Sequence, residues 1–419
     1  QDPDVLDTWF SSWLWPISVF NGTHPPTPRD IKYYYPTNDL VTAPEILFFW
    51  VARMVMAGYE YRKEIPFKTV YYTGIVRDKQ RRKMSKSLGN SPDPLDLIAE
   101  HGADSVRMGM LLCSPAGNDI LFDISQVEQG RNFGNKIWNA YKLTQMWITE
   151  EKEESEAAKQ AHIWFQSKVD ETCVIIEKNF ENYRLNDALM SIYKLIWNDF
   201  CSTYLEACKP NFGSNLSIYT YQNVCSHFDV LMRMLHPFMP FITEEIYQLL
   251  KIGDSEACVI SNYPKKQTAE IFVDEALEIV SEIRAIRSAQ GLSPREKLSV
   301  FVDTNQRNMW SSLEAMISKL ANIDLSYNGK PEEAHKQCLV GRDTCFVLLG
   351  DAIDTEAETE KLKSELKHQK GFLIGVQKKL GNDKFVANAA AEVVDRERQK
   401  QADAESKIEA LEKAIAALG

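Results

Sequence analysis

Lys83-Met84-Ser85-Lys86-Ser87 places two ammonium groups three residues apart with hydroxyls beside them. Such a set suits a mobile grip on a triphosphate. Its cations offset charge as it develops on departing phosphate, and its hydroxyls orient the oxygens. Six of the ten residues from Arg77 to Lys86 are basic (Arg77, Lys79, Arg81, Arg82, Lys83, Lys86), against one acid, Asp78. A charge run is commonly just a solvated face. Abutting this string, it reads as a contact for phosphate or RNA.

The elements expected to position this loop alternate α and β. Lys32 to Tyr35 reads as a short aromatic strand stopped by Pro36. Ala43 to Gly58 reads as a helix capped by Thr42, with Pro44 in its first turn and Gly58 at its end. Phe67 to Tyr72 is β-branched and aromatic, hence a strand. A further helix runs from Asp93 to His101. Strand, helix, strand and then a chemistry-bearing loop predicts a partial Rossmann-like α/β domain, with its site at the carboxyl ends of parallel strands.

From Asp123 to Leu250 apolar residues recur three and four apart, which predicts an all-α bundle. Its helices are expected over Asn132–Met146, Ala161–Asn179, Leu185–Ala207 and Tyr219–Leu250. A small α/β module follows: a helix from Asp274 to Gln290 ending at Gly291, a strand Lys297–Val302, a helix Gln306–Ala321, and a hairpin Cys338–Leu349 around Gly341-Arg342-Asp343. Leu362, Leu366, Leu373, Val376 and Leu380, then Val394, Ile408, Leu411, Ile415 and Leu418, predict an antiparallel coiled-coil hairpin turning at Gly381-Asn382-Asp383. The expected domains are 1–122, 123–270, 271–352 and 353–419.

The chain has 419 residues and a net charge of −11, so any nucleic-acid contact must come from local basic patches. No apolar run is long enough to span a membrane. Eight cysteines are scattered singly, with no Cys-x-x-Cys pair. They read as buried, reduced thiols in a cytosolic protein, and no bound zinc is expected. The opening Gln-Asp-Pro-Asp lacks an initiator Met, which suggests a true N-terminus upstream.

Several blocks resemble one family, the valyl type of class I aminoacyl-tRNA synthetases. Lys83 to Asn90 with Asp93-Pro94-Leu95-Asp96 resembles its signature loop and the helix after it. Asp4 to Ser12 with Trp15-Pro16 resembles the segment that re-enters the catalytic domain. Glu45 to Met54 resembles the helix beside the amino-acid pocket. Arg131-Asn132-Phe133 with Asn135-Lys136, and His236 to Glu245, resemble the first and last helices of the anticodon-binding bundle. The closing heptads resemble the C-terminal tRNA-binding arm.

The resemblance implies activation of valine by ATP, bound with Mg2+, and transfer to tRNA(Val) by a cytoplasmic, monomeric full-length enzyme without bound metal. Lys83 and Lys86 would stabilise departing pyrophosphate, Ser85 and Ser87 would shape the loop, and Met84 would complete the ATP contact. Trp9, Ile46 and Trp50 would form a small apolar valine slot, with Ile46 and Trp50 sharing one helix face. Arg131, Asn132, Phe133 and Lys136 would meet the anticodon stem and loop, Phe133 by stacking on a base. The His-Ile-Gly-His element and the editing domain of the family are absent. Thr42-Ala43-Pro44-Glu45 stands where the family usually has Thr-Gly-x-Asp, and Leu88 stands where a basic residue is usual. The chain alone is therefore expected to be inactive. An isoleucine or leucine enzyme, or a non-enzymatic protein assembling through its helical hairpin, remains as an alternative.

Overall fold

The computed structural model describes residues 3–23, 28–114, 119–253, 255–267, 274–327, 329–333 and 335–349, with 366, 367, 370–378, 380, 381, 401 and 408 beyond them. The chain divides into two compact units, 1–272 and 273–419.

The first unit opens with two short helices, α1 (Thr8–Ser12) and α2 (Trp15–Ser18), then α3 (Arg29–Tyr34) and strand β1 (Thr37–Thr42). The aromatic strand expected over Lys32 to Tyr35 is thus mostly helix. Ile31 and Tyr35, four apart, are both buried against Ile17, whereas Tyr33 and Tyr34 face solvent. Helical period, not alternation, places the apolar groups. The helix expected over Ala43 to Gly58 is also different. A 3-10 turn Pro44–Ile46 leads into a wide π turn, Leu47–Val51, before α4 (Ala52–Tyr61). Thr42 is the last residue of β1 and caps nothing; Ala43 is the N-cap. Gly58 does not end the helix. A Cβ there would lie 2.8 Å from the Glu64 carbonyl oxygen, so the glycine permits close approach of the returning chain.

That return forms β2 (Phe67–Tyr72), parallel to β1 with Leu40 opposite Val70. Leu40, Val51, Met54 and Phe67 make the core between this sheet and α4. Strand β3 (Val76–Arg77) carries the loop, followed by α5 (Pro94–His101), α6 (Ala103–Leu112) and β4 (Ile120–Leu121), which pairs in parallel with β3. Asp93 caps α5 by accepting from the Leu95 N–H at 2.8 Å.

Helix α7 (Ile124–Gln145) begins earlier than its apolar spacing suggests, because Asp123 accepts from the Ser125 N–H at its N-terminus. It crosses α6 at two glycines. Added Cβ atoms would meet the Val127 nitrogen at 2.7 Å (Gly109) and the Ser105 oxygen at 2.8 Å (Gly130). The catalytic-side elements and the bundle are thereby parts of one unit. A short strand β5 (Thr149–Glu150) precedes α8 (Glu156–Glu181). Helix α9 (Leu185–Lys194) continues through a ten-residue π stretch, Leu195–Tyr204, into α10 (Leu205–Cys208). Strand β6 (Leu216–Ser217) pairs with β5 and leads to α11 (Ile218–Leu235). The helix expected over Tyr219–Leu250 is broken. Pro240, without an N–H, starts α12 (Pro240–Leu250) instead. Phe165, Phe200, Tyr204 and Phe228 fill the bundle core.

In the second unit α13 (Glu278–Gln290) ends at Gly291, whose φ is 65°. Strand β7 (Leu298–Asp303), α14 (Arg307–Ser311), α15 (Glu314–Ala321) and β8 (Ile323–Tyr327) form a parallel crossover. The β9 (His335–Val340) and β10 (Asp343–Leu348) hairpin completes a sheet of order β8-β7-β10-β9. Strand β8 has no counterpart among the elements expected from sequence. Residues 370–378 are helical; the rest of the expected coiled-coil hairpin lies almost wholly outside the described residues. Among the described residues no helix is long and apolar enough to cross a membrane.

Candidate functional site

The basic string hangs from the carboxyl end of β3. Arg77 bridges Lys83, and the Met84 N–H donates to the Val76 carbonyl at 3.0 Å, so the chain doubles back at once. Arg81 takes a left-handed φ of 63° to make that turn. Asp78 organises it. Its nearly buried carboxylate accepts from the Gln80 N–H (3.0 Å), the Arg82 N–H (2.9 Å), Arg82 Nε (2.8 Å) and Asn90 Nδ2 (2.9 Å). The Asn90 contact first, and then the Arg82 contacts against the opposing effect of burial, hold its pKa down to about 2.

Asn90 works in both directions. Its Oδ1 accepts from the Ser85 N–H at 3.0 Å while its amide nitrogen holds Asp78. Ser85 Oγ lies 3.1 Å from Ser87 Oγ and accepts from the Leu88 N–H at 3.3 Å. Lys86 to Leu88 make one 3-10 turn, closed by Gly89 at φ 64°. The loop is therefore pinned at both ends. Met84 and Ser85 are half-buried and Ser87 is exposed; the side chain of Lys86 lies outside the described part of the structure.

The basic run is not a bare cationic face. Lys83 pairs with Glu45 at 3.2 Å, Lys79 with Asp123 at 3.2 Å, Arg82 with Asp78 at 2.7 Å, and Arg77 with Asp119. Three of these acids come from distant parts of the chain. Glu45 belongs to the 3-10 turn that also carries Ile46.

Trp9, Ile46 and Trp50 are all half-buried. Each indole has its own ring partner. Trp9 faces Phe49 with centroids 6.4 Å apart and has the Arg53 guanidinium over it at 5.1 Å. Trp50 packs against Trp15 at 5.8 Å and donates Nε1–H to the Ser12 carbonyl at 3.1 Å. Ile46 closes a 3-10 turn and Trp50 lies in the π turn. The α-helical rule expected to put them on one face does not describe this stretch.

On α7, Arg131 and Asn132 are exposed. Lys136 Nζ sits over the Trp197 ring at 5.3 Å. Phe133 corrects the sequence reading. It is fully buried between Tyr193 (4.8 Å) and Trp197 (6.4 Å), so it is core and presents no face to a base. Seven of the eight cysteines are buried and Cys338 is half-buried.

Three residues with evident work escaped assignment from sequence: Asp78, Asn90 and Glu45. A lone acid inside a basic run, and an Asn just before a Pro-containing helix start, are the signals that mark the first two.

The comparisons agree along the chain. Residues 1–123 match the model for class I tRNA synthetases (I, L, M and V). Residues 162–302 match the anticodon-binding domain of tRNA ligase, and 354–419 the valyl tRNA synthetase tRNA-binding arm. A valine--tRNA ligase of Christiangramia forsetii is 51% identical over 100% of this chain and 48% of its own length. One from Parabacteroides distasonis is 49% identical with the same coverage. A Fusobacterium nucleatum relative is 37% identical over 99% of this chain and 49% of its length. The chain thus spans about half the length of the relatives it matches. A crystal structure of an Agrobacterium radiobacter LeuRS-tRNA-LeuAMS ternary complex shares the fold at a TM-score of 0.51 and 17% identity, over 81% of this chain and 41% of that one. With the clasped signature loop, these matches place the chain in the valyl branch of the class I tRNA synthetases, as the part carrying the end of the catalytic domain, the anticodon-binding domain and the tRNA-binding arm.

Proposed function

We propose that this chain supplies the phosphate loop, part of the valine slot and the tRNA-binding surfaces of an enzyme that activates valine with ATP and passes it to tRNA(Val). The observation that carries the reading is the loop from Lys83 to Ser87, held by Asp78 and Asn90 at the carboxyl end of β3, in a chain related throughout to valine--tRNA ligases. Lys83 and Lys86 stabilise charge on departing pyrophosphate, with Mg2+ arriving on the ATP. Ser85, Ser87 and Met84 shape the loop that presents them.

Trp9, Ile46 and Trp50 bound an apolar slot for the isopropyl group. A slot of this kind discriminates poorly against threonine, which is isosteric with valine. Arg131, Asn132 and Lys136 offer cations and an amide to the anticodon stem and loop. The complete enzyme acts as a cytoplasmic monomer.

The test is adenylate formation in the full-length enzyme with Lys86→Glu. Valyl-adenylate should fall by orders of magnitude while valine binding is retained; unchanged adenylate formation would remove the loop from the chemistry.

A further inference from the structure

Three side chains converge at the corner between α11 and α12, away from the phosphate loop. His236 follows the last residue of α11, Glu244 lies early in α12, and Cys258 opens the 3-10 turn Cys258–Ile260. An imidazole nitrogen, a carboxylate oxygen and the thiol sulfur all lie within 4.8 Å of one another. A tetrahedral ion with bonds of about 2.0–2.3 Å keeps its donors roughly 3.3–3.7 Å apart, so side-chain shifts on the order of 1 Å close the site.

The surroundings already hold the donors. Thr243 Oγ1 donates to the Met239 carbonyl at 2.8 Å, so at 2.8 Å from His236 Nδ1 it accepts. The imidazole proton assigned in this way sits on Nδ1, and Nε2 keeps its lone pair, as in metal-bound histidines. Glu244 Oε2 accepts from the Cys258 N–H at 2.9 Å and Oε1 from Gln248 Nε2 at 2.7 Å, leaving each oxygen a free lone pair. Cys258 is 3% exposed. Asp229, two helical turns before His236 on α11, adds a separate sign. Burial first, and then the Glu244 and Asp229 carboxylates, push the Cys258 thiol up to about 11, and the buried Asp229 Oδ1 has no hydrogen-bond partner among the described residues. Its other oxygen, Oδ2, is ion-paired with Arg233 at 2.7 Å, so the carboxylate has a charge partner and only Oδ1 is left without a hydrogen bond among the described residues.

We propose that His236, Glu244 and Cys258 bind a zinc-type divalent cation, with water as fourth ligand, and so pin the α11–α12 corner to the 258–260 turn. Binding forms a metal–sulfur bond and releases the thiol proton to solvent, one proton per ion. The absence of Cys-x-x-Cys hid the site, because it uses a single thiol. The same corner docks on α6: Asp104 accepts from the Phe241 and Ile242 N–H groups, and Arg107 donates to the Pro237 and Phe238 carbonyls.

The probe is Co2+ added to the chelator-treated chain. One equivalent should give intense tetrahedral visible bands and a thiolate-to-cobalt charge-transfer band, both erased by Zn2+, with about one proton released. Cys258→Ser should lose the charge-transfer band, and Glu244→Gln should weaken binding at least tenfold. The Cys338→Ser/Cys345→Ser double variant, which removes the two thiols facing each other across β9 and β10, should keep the band. In the unaltered chain, Zn2+ should protect Cys258 from alkylation as read by mass spectrometry, which decides the matter even where a variant fails to fold. Non-saturable binding, a band that survives Cys258→Ser, a band lost in the double variant, or unprotected Cys258 overturns the proposal.

Discussion

Asn90 touches Asp78 with one end of its amide and Ser85 with the other, so one side chain couples the entrance of the phosphate loop to its tip. Asn90→Ala breaks both contacts and leaves the Asp78 carboxylate short of a donor. With the loop unpinned, adenylate formation in the complete enzyme proposed above should fall about tenfold through lost positioning. Steady-state kinetics with varied ATP would test it; a loss smaller than twofold counts against the clasp. Asp78 also makes a pH statement. Its folded pKa, about 2, lies below the ordinary 3.8. Its stabilisation is complete above pH 3.8 and disappears as pH falls through 2, so the loop should show no acid-linked loss from this group at any pH where the enzyme works.

At the scale of elements, the bundle interior carries a second titration. His227 is buried with Nδ1 2.8 Å from Tyr204 OH, and Tyr204 OH is also 2.8 Å from His162 Nδ1. Glu154 faces His162 Nε2 at 3.0 Å and Gln166 faces His227 Nε2 at 3.3 Å. Burial, reinforced by the neighbouring His162, lowers the His227 pKa from 6.5 to about 4, and burial lowers His162 despite Glu154. The unfolded chain therefore binds more protons between these values. Stability is full above pH 6.5 and falls as pH drops toward 4, by roughly 3 kcal/mol from His227 alone. Urea midpoints at pH 7 and 4.5 should differ accordingly, and His227→Gln should flatten the difference. Where α6 crosses α7, Gly130→Ala forces a Cβ to 2.8 Å from a backbone oxygen and should cost about 1–3 kcal/mol in the same assay.

Much of this layer is legible in the sequence. Long amphipathic runs announce helices because packing on one face demands their period, and α8, α11 and α13 lie where that period runs. The aromatic stretch Lys32 to Tyr35 misled because tyrosine favours strands while the burial of Ile31 and Tyr35 selects a helix. Strand β8 was invisible. Ile323 to Tyr327 is short and half polar, and it is a strand only because β7 lies beside it. In the site, the lysine and serine string was readable as chemistry. Glu45 was not readable as the partner of Lys83, because a pairing across 38 residues leaves no local trace.

For the whole molecule, the two compact units, 1–272 and 273–419, should unfold as separate calorimetric transitions; one cooperative transition would contradict the division. A net charge of −11 sets the terms of RNA binding. On the proposed function, affinity for tRNA(Val) should fall steeply between low and physiological salt, because it would rest on local cations within a repelling whole. Filter binding at two salt concentrations, with an unrelated tRNA alongside, measures both slope and specificity. Equal affinity for the two RNAs would defeat the specificity claim.

The paired cations around the loop have one more consequence. Lys79, Lys83 and Arg77 are each balanced by a carboxylate borrowed from elsewhere. On the proposed function, a phosphate reaching these three would take over a seat now held by a carboxylate. These pairs are solvent-exposed and individually weak, so the incoming phosphate would exchange one counterion for another, as on an ion-exchange resin in its carboxylate form.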